Sequence, residues 1–271
     1  MITAMPRIAI AVNDYAGAIE TFRDVLGMPV LDFSEHTVPA LGAHVGMCMP
    51  EGGSNIELMS PSNPDLPLSQ SLQKFLDSRG EGFYALMLEA EDPDAEAEQL
   101  LGRGMGVLPL MAGAGGRDIH PRTTHGVLIR VYPNDSVGQH EGVESSEPSL
   151  SGIATAVIAT TDAAQAVAAY GTGLGLEVEP VTIDDERGVS SVLCRPPKGG
   201  VIELVSAVNT DRPYAGRIAK HVASRGEGIY SLELRAGDPK AAALVLAERG
   251  LEMSGEGGLE TSVFGARLVI A

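Results

Sequence analysis

The residues able to do chemistry come in matched pairs. Glu57 sits inside Ile56-Glu57-Leu58, and Glu203 sits inside Ile202-Glu203-Leu204, 146 positions on. The same offset carries Cys48 onto Cys194 and Ser78-Arg79-Gly80-Glu81-Gly82 onto Ser224-Arg225-Gly226-Glu227-Gly228. A carboxylate can serve as a base or a metal ligand, and a thiolate as a nucleophile. The two cysteines, one at an equivalent place in each half, read as small buried strand residues rather than a disulfide. The Arg-Gly-Glu-Gly stretch could touch a ligand. Its repetition favours a structural turn, in which the glycines take positive φ and the glutamate accepts from nearby amides. Gly113-Ala114-Gly115-Gly116 lacks the Lys-Ser/Thr ending of a phosphate loop and opens no helix. His44 lies on a strand, whereas His120 beside Pro121 and His125 in the next loop read as rim or turn residues.

The elements that hold these residues are themselves duplicated. Asp92-Pro93 maps onto Asp238-Pro239 and Gly104 onto Gly250. Nearer the start the offset is 148, pairing Asp14 with Asp162 and Leu26-Gly27 with Leu174-Gly175. A period this long exceeds any solenoid unit and marks a duplicated domain. A chain of 271 residues accommodates two domains of ordinary size. In the first half, strand 7–12 leads through Asp14, a helix N-cap, into a helix bearing Ile19, Phe22 and Leu26 and stopped by Gly27. Strands follow near 29–33, 43–48 and 55–59, then a connection over 60–68 and a helix over 69–78. A strand over 83–91, a helix over 94–103 and strands near 107–110, 117–120 and 127–132 complete the half. Residues 133–150 lack periodicity and read as a linker. The second half repeats the plan: strand 153–159, helix 163–174, strands near 178–183, 189–194 and 201–205, strand 229–235, helix 239–248, and strands to 271. The expected domains are therefore 1–132 and 151–271.

Composition narrows the function. With 36 acidic against 19 basic residues and a net charge of −17, the chain is a poor partner for nucleic acid. A local pocket can still oppose the global charge, so a small anionic ligand stays open. No apolar run approaches the roughly 18 residues of a membrane span, and no leader pattern is seen. The expectation is a cytoplasmic protein with a small-molecule partner, no nucleic acid and no membrane, and with homodimerisation open to it.

Arg7-Ile8-Ala9-Ile10-Ala11-Val12-Asn13-Asp14, Leu26-Gly27 and Ile56-Glu57-Leu58 resemble the vicinal oxygen chelate superfamily of glyoxalases, extradiol dioxygenases and epimerases. Within it the first half is similar to the methylmalonyl-CoA epimerases. The similar stretches are Ser60-Pro61 through Asp65, Phe75 to Gly82, Gly113–Gly116, His120-Pro121 and Gly126-Val127-Leu128-Ile129. The second half keeps Ser224–Gly228 and Glu203 without the glycine-rich segment, like a diverged copy. The resemblance implies an α+β fold of four βαβββ modules, paired into two domains with cupped antiparallel or mixed sheets.

It also implies four metal ligands per domain, which in the family are His, Glu or Gln, His and Glu. They hold a divalent cation with open positions for a substrate oxygen. The corresponding places are Arg7, Glu57, Ala85 and Arg130 in the first half, and Thr155, Glu203, Ser231 and Val269 in the second. A guanidinium has no lone pair to donate. The expectation is a kept frame with its metal site lost and no cofactor; a Co, Ni, Zn, Mn or Fe ion would fit only if this correspondence were displaced.

Under the resemblance Arg7, Glu57 and Arg130 converge with one excess positive charge. They read as a buried ion network, as an anion grip, or as a metal-free oxyanion hole with Glu57 as base. His44 falls near a catalytic carboxylate of the epimerases, although a one-residue slip would turn it to the other face. Met59, Met87 and Leu128, with Met47 and Met49, suggest an adaptable apolar lining. Glu203, Glu233 and Arg267 are the candidates of the second cup. Three functions follow: a small-molecule binder, a metal-free epimerase, isomerase or lyase acting on an acyl-CoA or related carbonyl acid, and a structural protein with filled cups.

Overall fold

The computed structural model describes residues 1–34, 41–111, 113–136, 138 and 145–271. The first half contains β1 (Ile2–Ala11), α1 (Tyr15–Glu20), β2 (Val30–Asp32), β3 (Ala43–Cys48), β4 (Asn55–Pro61), α2 (Pro67–Arg79), β5 (Gly82–Ala90), α3 (Pro93–Gly102), β6 (Arg117–Ile119) and β7 (Ile129–Pro133). The second contains β8 (Ile153–Ala159), α4 (Ala163–Val167), β9 (Glu177–Val178), β10 (Thr182–Asp184), β11 (Val189–Arg195), β12 (Val201–Ala207), α5 (Pro213–Arg225), β13 (Gly228–Leu234), α6 (Pro239–Glu248), β14 (Glu260–Val263) and β15 (Ala266–Ile270). This is a mixed α+β fold with two sheets, ordered β2-β3-β4-β1-β5-β7-β6 and β10-β11-β12-β8-β13-β15-β14. Within each sheet parallel pairs such as β1–β4 and β5–β7 sit beside antiparallel hairpins.

Local chemistry accounts for the element starts. Asp14, Asp92, Asp162 and Asp238 each accept from backbone amides in the first turn of the following helix, satisfying otherwise orphaned donors. The helices expected at 16–26 and 163–174 begin as α1 and α4 and continue as π-helical turns, Thr21–Val25 and Ala168–Gly173. Both cysteines are free and buried, and burial pushes the Cys194 thiol up to about 12. The strand expected at 107–110 does not form. Val107 makes a single bridge to Ile119 and Leu108 donates to Asp118 O, but Pro109 has no N–H with which to extend the ladder.

Contacts group the chain into two compact units, each drawing on both halves. One comprises Met1–Pro6, Ala85–Val137 and Thr155–Ser231; the other comprises Arg7–Tyr84, Gly138–Ala154 and Leu232–Ala271. The duplicated Arg-Gly-Glu-Gly stretch explains part of this grouping. In the first unit a Cβ on Gly126 would lie 1.8 Å from Glu227 O, so the turn before β7 seats directly on this stretch. In the second a Cβ on Gly265 would lie 2.1 Å from Glu81 O, the same contact made with the halves exchanged. Glu81 accepts from Asn13 N at 2.8 Å, and Glu227 accepts from Thr161 N and Oγ1, both at 2.7 Å. A second duplicated contact runs alongside. Arg103 Nη1 donates to Gly173 O in the first unit, and Arg249 Nη1 donates to Val25 O and Glu147 O in the second.

Glu227 also pairs with His125 Nδ1 at 2.9 Å. Burial alone would raise the Glu227 carboxyl, but the Thr161 hydrogen bonds and His125 outweigh it and hold it below the usual range. A depressed carboxylate stabilises the fold above its unfolded value, near ~4.3, and loses that contribution as pH falls through the folded value. Glu227→Gln should therefore lower the melting temperature near pH 7, and the gap from wild type should close toward pH 3. Melts recorded across that range by circular dichroism check it; a gap independent of pH would show that the charge is not what matters.

Candidate functional site

In the second unit, β1 and β4 run parallel with Ala9 opposite Glu57, and β3 places Met47 opposite Glu57 and Val45 opposite Met59. Side chains alternate across a sheet, so Arg7, Glu57, Met59, Val45 and Met47 share one face. All five are buried. Arg7 Nε donates to Glu57 Oε2 at 3.0 Å, an ion pair set within an apolar patch. His44 lies opposite Ser60 and so falls on the other face, a correction to its placement among the lining residues. It is exposed there, its ring stacked 5.3 Å from that of Tyr15, which donates to Asp32. A one-residue slip reverses the faces of a β-strand, and His44 lies on the face opposite to that of Glu57.

Arg130 belongs to the first unit, on β7 opposite Met87 of β5 and Asp118 of β6. Its Nε and Nη2 each donate at 2.6 Å to Asp118, one to each carboxylate oxygen, the bidentate fork typical of strong guanidinium–carboxylate pairs. Burial would lower the Arg130 guanidinium, but the Asp118 carboxylate more than offsets it and the net direction is upward. The expected excess of positive charge is thereby corrected: Arg130 brings its own counterion. Asp118 escaped the sequence reading, although the strands read at 117–120 and 127–132 set these two residues face to face once their register is known. Met87 is buried beside this pair, and Leu128 is half-buried just before β7, its carbonyl accepting from Leu86 N.

The second half repeats the device with different residues. Glu203 on β12 accepts from Arg187 Nη2 at 2.7 Å and from Ser191 Oγ at 2.6 Å, while Arg187 Nε donates to Asp184 at 2.7 Å. Val157 lies opposite Glu203, and Val205 is two residues along, so both share the Glu203 face. Helix α5 covers that face: its Ala215 and Ile218 pack in one cluster with Val157, Ala159, Val189, Val205 and Tyr230. In the second unit Glu260 lies opposite Val269, as Asp118 lies opposite Arg130, and accepts from Arg267 Nη1 at 2.6 Å. Glu233 is half-buried on the same face, opposite Val269. Each of the four modules thus carries an arginine held by a carboxylate: Arg7–Glu57, Arg130–Asp118, Arg187–Glu203 and Arg267–Glu260.

Among the described residues no three His, Cys, Asp or Glu side chains are grouped so that they could hold a metal ion. No helix among them is long and apolar enough to cross a membrane. The model of the Glyoxalase/Bleomycin resistance protein/Dioxygenase superfamily matches residues 7–120. The first half carries a vicinal oxygen chelate domain. Among solved structures, a triple mutant of 4-hydroxymandelate synthase from Streptomyces coelicolor aligns with 93% of this chain and 76% of its own, with 14% identity and a TM-score of 0.65. A xylose isomerase-like TIM barrel/4-hydroxyphenylpyruvate dioxygenase fusion protein aligns with 93% of this chain and 39% of its own, with 14% identity and a TM-score of 0.60. At that identity the likeness speaks for the fold alone. Methylmalonyl-CoA epimerase from Mycobacterium tuberculosis is 29% identical over 49% of this chain and 88% of its own, with a TM-score of 0.41. Comparison with curated proteins returned no match.

Proposed function

We propose that this protein is a metal-independent small-molecule binder on the superfamily frame, taking an uncharged, largely apolar ligand in its first half. The observation that carries this reading is the pairing of Arg7 with Glu57 and of Arg130 with Asp118 at and beside the places where the superfamily puts its metal ligands. The donor set does not suit a divalent cation. Two of the four places carry guanidinium groups and one carries Ala85, and the remaining carboxylate, Glu57, already accepts from Arg7. Paired charges also weaken the case for an anionic ligand, because each guanidinium has its countercharge in contact. What surrounds Arg7–Glu57 on that face is Val45, Met47 and Met59, and methionine repacks readily around a guest. The enzymatic alternative, with Arg7 and Arg130 stabilising an oxyanion and Glu57 as base, requires both guanidinium groups to exchange these carboxylates for substrate.

Titration of the full chain with Nile red, an uncharged solvatochromic dye, tests the reading. Saturable binding is expected at about one dye per chain, indifferent to EDTA and weakened at least tenfold by Met59→Asp, since a charge would then line the apolar face. Binding that appears only with added divalent metal, or none at all, would overturn it.

A further inference from the structure

Internal duplication gives this chain its own control. Helices α2 and α5 span equivalent residues, so each position of one can be compared with its counterpart in the other. On α2 the positions Leu68, Ser71 and Phe75 are ordinary packing residues: Ser71 Oγ lies 2.8 Å from Tyr84 Oη, and Phe75 meets the Tyr84 ring edge-on at 5.4 Å. On α5 the same three positions are Tyr214, Arg217 and His221. His221 makes the contact that Phe75 makes, edge-on to Tyr230 at 5.3 Å, so an imidazole has replaced a phenyl ring in an unchanged geometry.

The cationic groups gather around one ring. The guanidinium carbons of Arg187 and Arg217 lie 5.3 and 5.7 Å from the centre of Tyr214, which itself meets Tyr230 edge-on at 6.2 Å. Tyr214, Arg217 and His221 are all half-buried, reachable from solvent yet partly stripped of it. Arg187 is anchored by Asp184 and Glu203, so its stem is fixed and its charge countered. Packing alone does not require this set, because α2 closes the equivalent face with leucine, serine and phenylalanine. Tyrosine, arginine and histidine thus stand where the first half has leucine, serine and phenylalanine.

We propose that the second half has a ligand site of its own at this cluster, separate from the first-half site, which takes an aromatic or other planar molecule bearing a carboxylate. Tyr214, half-buried above the buried Tyr230, offers a ring edge to the planar body, and Arg217 takes the carboxylate in the planar fork that a guanidinium presents. His221, edge-on to Tyr230, adds a donor.

The test is fluorescence titration of the full chain with 2-naphthoate and, in parallel, with uncharged 2-naphthamide. The acid should bind saturably, at least about tenfold more tightly than the amide, and should weaken as salt is raised. Arg217→Gln should cost about tenfold for the acid and little for the amide; Tyr214→Leu, which restores the first-half residue, should weaken both. Ser71→Ala, at the matching place on α2, should change neither. If Arg217→Gln does not fold, the wild-type comparison of acid with amide still decides, and Arg217→Lys should give an intermediate loss. Equal affinities for acid and amide, or no saturable naphthoate binding in the millimolar range, would overturn the proposal. Because Nile red reports on Met59 and naphthoate on Arg217, either site can fail without the other.

Discussion

Glu57→Gln is expected to lower stability by roughly 3–5 kcal/mol, since it removes the negative charge facing a guanidinium that is 4% exposed. For a chain of this size that corresponds to a fall in melting temperature on the order of 10 °C. The informative partner is the double replacement Arg7→Met with Glu57→Leu. An ion pair in an apolar setting gains little net stability over well-packed hydrophobic side chains, because desolvation offsets its Coulombic attraction. The double variant should thus return to within about 1–2 kcal/mol of wild type. Chemical denaturation of all four proteins closes the cycle. A Glu57→Gln variant as stable as wild type would mean that the pair is not what holds this face.

The second large effect concerns the turns that seat on the duplicated stretch. Gly126→Ala would force a methyl group to within 1.8 Å of Glu227 O, a backbone atom that cannot swing aside, at a φ of +81°. Gly104→Ala supplies the comparison, at a φ of +83° but with nothing within 4 Å of the new carbon. The control should cost about 1–2 kcal/mol, the penalty of a left-handed L-residue. Gly126→Ala should cost at least about 3 kcal/mol more, because the turn must part from Glu227 or the unit must deform. Gly265→Ala should behave likewise through Glu81. Equal losses at Gly104 and Gly126 would show that the turn before β7 does not seat on Glu227.

Much of this frame was legible because its signals are local. Aspartates before helices, apolar residues at strand or helix spacing, and a repeat kept through turns all survive in a one-dimensional string. Glu81 accepting from Asn13 N is the structural role read for the repeated glycine-rich stretch. The counterions were the part that was hidden. Asp118 and Glu260 meet their arginines only through hairpin register, and Arg187 reaches Glu203 from a turn that no periodicity marks. The same limit misplaced His44, where one residue of slip decides between two faces. That the units interleave segments of both halves rests on backbone contacts such as Gly126 with Glu227, to which side-chain pattern is blind.

The proposed function rests on the arginine–carboxylate pairs Arg7–Glu57 and Arg130–Asp118 leaving no site for a metal ion. The most direct test is to incubate the full chain with cobalt, nickel or zinc, remove unbound ions by desalting, and count the ions retained per chain. Retention of none is the predicted result. One tightly held ion per chain would contradict the claim, and its loss on Glu57→Gln or Glu203→Gln would show which half holds it.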